Sequence, residues 1–270
     1  MPKRNSNRTQ ALLPRSRVMV AVANRIDHEL LCARKYGLGA EIQTFGFPEY
    51  LARDNGPLLK RIGRAVGALE GPIGCHGPFI DTIHYSTDPD VREVARLRYL
   101  RAFDIAEALG AKYVLFHSQF NPIIRVPAYK RIYHEESLRF WPELIEEAEN
   151  RRLPIYIENM FDDSPAPVAK LAESFNSPYF SICLDIAHAV IHSTLDMAQW
   201  VDAYRPYLRH VHLNDCHGTM DDHLGLGQGV LDLSGIIALL KKTRIPLTYA
   251  LETGIHTAAS LKFLGIPRVE

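Results

Sequence analysis

The sequence lacks a long apolar run, has little cysteine and carries no net charge. No stretch of about 18 consecutive apolar residues occurs among its 270 residues, which excludes a membrane-spanning helix and predicts no membrane partner. The 31 Lys and Arg residues balance the 31 Asp and Glu residues, so the net charge does not indicate a nucleic-acid-binding protein, although it allows a local basic patch. Apolar residues make up 47% of the chain, which is typical of a globular domain that folds without disulfides.

The four cysteines are far apart in the sequence and form no Cys-x-x-Cys pair. Cys75 and Cys183 lie in apolar runs, which is typical of buried free thiols, and we therefore expect a cytoplasmic protein. Residues 1–17 contain five basic residues and no acidic one. Their longest apolar run, 11–13, is shorter than a signal-peptide core of about 7–15 residues. This segment is interpreted as a flexible basic N-terminal arm.

Short apolar segments alternate with amphipathic segments along the rest of the chain. Strands are predicted over 18–23, 40–45, 72–76, 113–117, 155–158, 181–185, 210–213 and 247–252. Helices are predicted near 28–36, 57–69, 90–109, 134–150, 165–175, 196–205, 233–243 and 257–264. Asp196 and Ser234 suit helix N-caps, and Gly110 suits a helix end.

The spacing of these segments predicts the fold. Successive strands start about 33 residues apart, which is the length of a βαβ unit. Apolar runs of this kind suit parallel strands that are buried on both faces. Eight strands alternating with eight helices predict an α/β protein, a single-domain (β/α)8 TIM barrel over residues 18–270. An open doubly wound sheet is the alternative, but residues 23–26, after the first strand, form no Gly-rich dinucleotide-binding loop.

Histidines and carboxylates stand at or just after the ends of the predicted strands, from the third strand to the eighth. They are His76, His117, Glu158, Asp185, His188, His212, Asp221, His223 and Glu252. In a TIM barrel the carboxyl ends of all strands meet at one rim, so we expect these residues to share a pocket. Carboxylates in a shared cleft repel each other unless a cation lies between them. Imidazole and carboxylate ligands without thiolate suit Zn, Mn, Fe or Co.

Three groups of metal ligands are expected at this rim. They are His76, His117 and Glu158; Glu158, Asp185, His212 and Glu252; and His188, Asp221 and His223, with Asp222 as an alternative to Asp221. The remaining histidines of helices and loops are expected to have ordinary structural roles: His28, His84, His134, His192 and His256. We expect alternation along the seventh strand to point His210 away from the face of His212.

Six short motifs together resemble the xylose isomerase-like TIM barrel superfamily, which also contains AP endonuclease family 2, the endonuclease IV type. They are Cys75-His76-Gly77-Pro78-Phe79, Phe116-His117-Ser118, Ile157-Glu158-Asn159-Met160, Cys183-Leu184-Asp185-Ile186-Ala187-His188, Val211-His212-Leu213-Asn214-Asp215 and Asp221-Asp222-His223. The resemblance covers nearly the whole chain. It is specific for the superfamily rather than for one reaction, and it implies a divalent-metal-dependent enzyme.

Sugar isomerases and ketose epimerases of this superfamily hold one Mn or similar ion with a Glu, Asp, His, Glu quartet. Glu158, Asp185, His212 and Glu252 match that quartet. The resemblance implies that the two glutamates exchange a proton with the sugar carbon and that His188 contacts a substrate oxygen. The expected function is a metal-dependent isomerase or epimerase of a small-molecule sugar or sugar phosphate. The arginine that such epimerases carry after the strand-seven histidine is missing, since 214–220 contains none.

The alternative is an endonuclease IV-like zinc phosphodiesterase that acts at abasic DNA sites. Endonuclease IV uses all nine positions to hold three Zn ions, and each position has a match in this chain, so up to three ions are expected. Two departures weigh against it: residues 159–163 are not Gly-rich, and Leu224 follows the Asp-x-His motif where endonuclease IV has Glu. Residues 224–232 look like those of sugar-isomerase-like members.

Several secondary features of the sequence leave alternatives open. The Gly225-Leu226-Gly227-Gln228-Gly229 segment either binds phosphate through backbone N–H groups or only positions the following helix. Four aromatic residues either stack on a ligand or cover the barrel mouth as an apolar lid: Phe45, Phe47, Tyr50 and Phe79. Arg53 and Arg125 are candidate phosphate or substrate contacts. Barrels of this kind often pair, so a homo-oligomer is compatible with the sequence.

Overall fold

The computed structural model describes residues 11–51 and 55–269, and its centre is a closed barrel of eight parallel strands in chain order. The strands are β1 (Val18–Val22), β2 (Gly39–Ile42), β3 (Ile73–His76), β4 (Val114–His117), β5 (Ile155–Glu158), β6 (Phe180–Asp185), β7 (Leu208–Leu213) and β8 (Thr248–Leu251). Val18 of β1 lies opposite Tyr249 of β8, and this pairing closes the barrel. The predicted (β/α)8 TIM barrel is confirmed.

The described part of the chain contains ten helices, nine between strands and one after β8. They are α1 (Ile26–Tyr36), α2 (Pro48–Leu51), α3 (Gly56–Val66), α4 (Pro89–Ala108), α5 (Tyr129–Arg151), α6 (Ala166–Phe175), α7 (Ile186–His192), α8 (Met197–Tyr204), α9 (Leu233–Lys242) and α10 (Thr257–Phe263). Every predicted helix is present, and α5 starts five residues earlier than expected. The sequence pattern does not predict α2 and α7, which lie after strands at the carboxyl end of the barrel.

Local hydrogen bonds explain where these elements begin and end. Asp88 caps α4, because its carboxylate accepts the backbone N–H of Asp90 at 2.9 Å. β2 ends earlier than predicted, since the Thr44 hydroxyl donates to the carbonyl of Ala23 at 2.8 Å and the chain turns into a 3₁₀ helix. Asp185 ends β6 and caps α7, where its Oδ1 accepts the N–H of His188 at 2.7 Å. One carboxylate therefore lies at the junction of the two elements beside the site.

The core has two parts, one between the strands and the helices and one inside the barrel. Outside the strands, the fully buried Trp141 stacks on Tyr99 with ring centroids 5.5 Å apart. Inside the barrel, a smaller cluster fills the space between the strands: Met19, Tyr113, Leu115, Cys183 and Ala250. Because side chains fill the barrel, its carboxyl end forms a pocket rather than a pore.

The predicted basic arm divides into two parts. Residues 1–10 lie outside the described residues. From Ala11 the chain packs on the barrel: the N–H of Leu12 donates to the carbonyl of Leu264 at 2.8 Å, and Leu13 is buried. The described part of the predicted arm, 11–17, is therefore part of the packed body. None of the helices of residues 11–51 and 55–269 combines the length and apolarity that crossing a membrane requires.

Candidate functional site

The nine predicted site residues lie together at the carboxyl end of the barrel. Four of them are the last residues of successive strands: His76, His117, Glu158 and Asp185. His212 lies in β7 and Glu252 directly follows β8, whereas His188 lies in α7. Asp221 and His223 lie in the loop between β7 and α9. Residues from six of the eight strand ends are therefore brought to one place, as the sequence predicts.

Seven of the nine residues line one cavity of about 490 Å³. They are His76, His117, Glu158, His188, Asp221, His223 and Glu252. The other two, Asp185 and His212, are completely buried beside the cavity. Phe47 and Phe79 also line the cavity, and their rings lie 5.0 Å apart. The site is thus a pocket with ionisable side chains and an aromatic pair in its wall.

The deepest part of the site is a quartet of ligand atoms around the imidazole of His212. One atom from each of Glu158, Asp185, His212 and Glu252 lies within 4.8 Å of the other three. Nδ1 of His212 is 3.1 Å from Oε1 of Glu158, 3.2 Å from Oε1 of Glu252 and 4.0 Å from Oδ2 of Asp185. Three carboxylates and one imidazole in this arrangement could hold one divalent cation.

A second group extends from the opposite oxygen of Glu158. Oε2 of Glu158 lies 3.3 Å from Nε2 of His76 and 3.4 Å from Nε2 of His117. These three residues also form a group whose ligand atoms lie within 4.8 Å of one another. Glu158 therefore stands between the two groups, as the sequence predicts.

The third expected group surrounds Asp221. Oδ2 of Asp221 lies 3.3 Å from Nε2 of His188 and 3.0 Å from Nε2 of His223. The neighbouring Asp222 instead accepts the backbone N–H of His217 at 2.9 Å. The structure thus places Asp221, rather than Asp222, beside the two histidines.

The four histidines of the second and third groups share one orientation. Each has Nδ1 near a backbone carbonyl: His76 near Gly77, His117 near Phe79, His188 near Asn159 and His223 near Glu252, at 2.9 to 3.3 Å. A carbonyl only accepts hydrogen bonds, so Nδ1 is the donor and the Nε2 atoms face carboxylate oxygens. Two acceptors face each other favourably only with a proton or a metal ion between them, and metal-bound histidines show this orientation. The donor set therefore fits divalent metal.

Burial and neighbouring charges shift the ionisation of the quartet. The pKa of Asp185 is raised to about 6, chiefly by burial and also by the nearby carboxylates Glu158 and Glu252, against the opposing effect of His188. Burial also opposes ionisation of Glu158, but the facing His212 and His117 outweigh it and hold the pKa well below its usual range. A divalent ion would favour the ionised form of all three carboxylates.

One prediction about the seventh strand is wrong. His210 and His212 point to the same side, into the barrel, and their ring centroids are 5.2 Å apart. Side chains alternate along a strand with a period of two, so residues two apart share a face. The sequence reasoning also missed Glu41 of β2, whose Oε2 lies 3.1 Å from Nε2 of His210. The sequence did contain a signal for this residue: Glu41 is a single carboxylate within a buried apolar strand, and a buried charge requires polar partners.

The secondary features predicted from the sequence lie in different environments. Asp215 occupies two backbone N–H groups of the glycine-rich segment and one that follows it: its carboxylate accepts from Gly227 at 3.1 Å, Gly229 at 2.9 Å and Leu231 at 3.1 Å. These amides are engaged within the protein, which favours a structural role for the segment over phosphate binding. Among the four aromatic residues, Phe47 and Phe79 lie at the cavity and Phe45 is in the core. Arg125 is exposed, and Arg53 lies outside the described residues.

Known proteins that are similar in sequence or in structure are consistent with the barrel fold. A curated relative, the uncharacterized protein MJ1311 of Methanocaldococcus jannaschii, is 25% identical over 182 residues. The match covers 64% of this chain, and it spans 61% of the length of that relative. Among solved structures, the TTHB071 protein from Thermus thermophilus, from a crystal soaked with ZnCl2, has a TM-score of 0.79 and 28% identity, covering 92% of this chain and 96% of that one.

A D-tagatose 3-epimerase-like protein of known structure has a TM-score of 0.74 with 20% identity, and the match covers 93% of this chain and 97% of that one. This likeness concerns the fold. The family model described as xylose isomerase-like TIM barrel matches residues 37–264, which include all nine site residues. The resemblance expected from the sequence motifs is confirmed, and the chain belongs to the xylose isomerase-like TIM barrel family.

Proposed function

We propose that the protein is a divalent-metal-dependent isomerase or epimerase that acts on a small-molecule sugar or sugar phosphate. The observation that carries this proposal is the quartet of Glu158, Asp185, His212 and Glu252, whose ligand atoms lie within 4.8 Å of one another beside a cavity. The cavity volume, about 490 Å³, suits a small-molecule ligand. Two of the quartet's carboxylates, Glu158 and Glu252, line the cavity and so can reach a ligand in it.

The quartet would hold the metal ion, Mn or Zn. When bound, the ion would polarise the carbonyl or hydroxyl group next to the carbon that exchanges its proton. Glu158 and Glu252 would remove and return that proton as base and acid. His188, which also lines the cavity, would contact a substrate oxygen. Phe47 and Phe79 would restrict the access of water to the reacting carbon.

The charge of the cavity wall supports a small substrate over DNA. Among the described residues that line the cavity, Arg25 is the single lysine or arginine. Proteins that bind the DNA backbone neutralise several phosphates with Lys and Arg, so a wall with one guanidinium suits a sugar better than a duplex. The fold-level likeness to a D-tagatose 3-epimerase-like protein supports the same direction.

Proton exchange at carbon tests this function directly. The purified protein, loaded with Mn, is incubated in deuterated water with a panel of ketoses and ketose phosphates, and deuterium incorporation is followed by NMR. We expect exchange at a carbon next to a carbonyl, and a loss of at least about 100-fold in Glu252→Gln. Glu136→Gln is the matched control, because Glu136 is a buried carboxylate of α5 that pairs with Arg92 away from the site. A folded, metal-loaded protein without exchange on any of these sugars would contradict the proposal.

The second and third ligand groups favour a second candidate, an endonuclease IV-like zinc phosphodiesterase acting at abasic DNA sites. His76 and His117 on one side, and His188 with His223 on the other, direct their Nε2 atoms to carboxylates as ligands of two further ions would. Three ions could generate a hydroxide and clamp a phosphodiester. This candidate predicts three Zn ions per chain and nicking of an abasic duplex after Mg removal. One ion per chain and no nicking would exclude it.

A further inference from the structure

A buried polar network lies directly beneath the candidate metal centre, and Glu41 is its centre. Oε1 of Glu41 accepts the side-chain N–H of Gln43 at 3.0 Å and lies 3.0 Å from Nε2 of His212. Oε2 accepts the hydroxyl of Tyr113 at 2.5 Å and lies 3.1 Å from Nε2 of His210. The Glu41 side chain is 0% exposed. Gln43 and Tyr113 therefore donate hydrogen bonds to Glu41, and the two imidazole nitrogens lie within ion-pair distance of its oxygens.

Both ring nitrogens of His212 face carboxylates. Nε2 lies 3.0 Å from Oε1 of Glu41, whereas Nδ1 faces Glu158, Asp185 and Glu252. A metal ion held by the quartet would take the lone pair of Nδ1, and the remaining N–H of the imidazole would then be Nε2–H, on the side of Glu41. His212 is therefore oriented differently from the other four histidines of the site. His212 faces the quartet carboxylates with Nδ1, whereas the others face carboxylates with Nε2 and donate from Nδ1 to backbone carbonyls.

The network also reaches a second member of the quartet. The side-chain amide of Gln43 donates both to Glu41 and to Oε1 of Glu252. His210 extends the network to β8, where its Nδ1 lies 2.6 Å from the hydroxyl of Thr248. Glu41 is therefore in contact with His212 directly and with Glu252 through one amide.

From these contacts we propose that Glu41 is a positioning residue of the metal centre. It holds the ring orientation of His212 and, through Gln43, the placement of Glu252. The inference rests on the metal-binding part of the proposed function. Groups that orient a metal ligand in this way typically change metal affinity about 10–100-fold when they are removed.

Metal affinity of purified, metal-stripped protein tests this role without an activity assay. Zinc affinity is measured by competition with a chelator, and the Co(II)-loaded protein is examined by absorption spectroscopy, which reports the geometry of the ligands. Glu41→Gln keeps the volume of the side chain and removes its charge. We expect it to weaken one zinc-binding step by about 10–100-fold and to change the Co(II) spectrum. Glu136→Gln, a buried carboxylate far from the centre, is expected to match the wild type in both measurements.

The outcomes separate this inference from the proposed function. A wild type that binds no divalent metal overturns both. A wild type that binds metal, together with a folded Glu41→Gln variant of unchanged affinity and spectrum, overturns the inference alone, as does an equal loss in Glu136→Gln. If Glu41→Gln does not fold, Tyr113→Phe removes one contact of Glu41 and decides the question: a smaller loss of affinity, about threefold, supports the role, and wild-type affinity and spectrum refute it.

Discussion

The buried His84 makes the stability of the protein depend on pH in a way that can be calculated. Its side chain is completely buried, with Nε2 3.0 Å from the hydroxyl of Ser137 and with the rings of Trp141 and Phe140 beside it. Burial lowers the pKa of His84 from 6.5 to about 3. Between these two values the unfolded chain binds a proton at this residue and the folded chain does not.

The free energy of unfolding therefore falls as the pH falls below 6.5. From a folded pKa of about 3 and an unfolded one of 6.5, His84 removes about 2 kcal/mol of stability at pH 5 relative to neutral pH. The variant His84→Phe keeps an aromatic ring in this environment and cannot bind the proton. We expect the stability of His84→Phe, relative to that of the wild type, to rise by about 2 kcal/mol between pH 7 and pH 5.

Urea unfolding at 25 °C, followed by tryptophan fluorescence at several pH values, measures this difference. Comparing the two proteins at each pH cancels the contributions of the other ionisable groups. Ser137→Ala is the control: it removes the hydrogen-bond partner of His84, so we expect a loss of about 1 kcal/mol at every pH with the wild-type pH dependence. Parallel curves for His84→Phe and the wild type from pH 7 to pH 5 would refute the reasoning.

Three further predictions follow from other parts of the structure. Zinc or manganese at about 1,000 times its dissociation constant should stabilise the protein by about 4 kcal/mol, and EDTA should reverse the rise in melting temperature; an unchanged melting temperature would argue against a metal centre. Asp215→Ala should cost about 2–4 kcal/mol and expose residues 225–231 to proteolysis, because three backbone N–H groups lose their acceptor; an equally resistant loop would contradict this. Gly74→Ala should destabilise by about 1–3 kcal/mol, since its Cβ would lie 2.3 Å from the hydroxyl of Tyr113, whereas Gly63→Ala in α3, with 3.8 Å to its nearest neighbour, should be neutral or stabilising in the same urea measurement.

Glu158 belongs to two of the three ligand groups and contacts the third, and this links the two candidate functions. Glu158 contacts the quartet with Oε1 and the imidazoles of His76 and His117 with Oε2. Its Oε1 also lies 3.4 Å from Nδ1 of His188, a member of the third group. An enzyme with one ion would use only the contact with the quartet, and an enzyme with three ions would use them all. Metal stoichiometry in protein purified without chelator is therefore the measurement that separates carbon chemistry from phosphorus chemistry.

Local sequence determined the strands, the helices and the residues that end them. The apolar run before Glu158 and the one before Asp185 define their strands without any knowledge of distant contacts, because burial on both faces requires such runs. Repetition of this unit eight times then predicts a barrel, and a barrel collects the residues at its strand ends. For this reason the sequence predicts that the nine residues lie together, and the structure places them at one end of the barrel, whereas their role as metal ligands stays a prediction.

Only the tertiary structure decided what lies across the barrel interior. Glu41 and His210 are far apart in the sequence, and their contact depends on the closure of the barrel and on the register of β7 beside β8, in which His210 lies opposite Thr248. The hydrogen bonds from the backbone N–H groups of Gly227 and Gly229 to the Asp215 carboxylate also depend on the tertiary structure, because this loop and the end of β7 meet only when the chain folds. Strand periodicity specifies the face on which a side chain lies, whereas the partner it meets there depends on how distant segments pack.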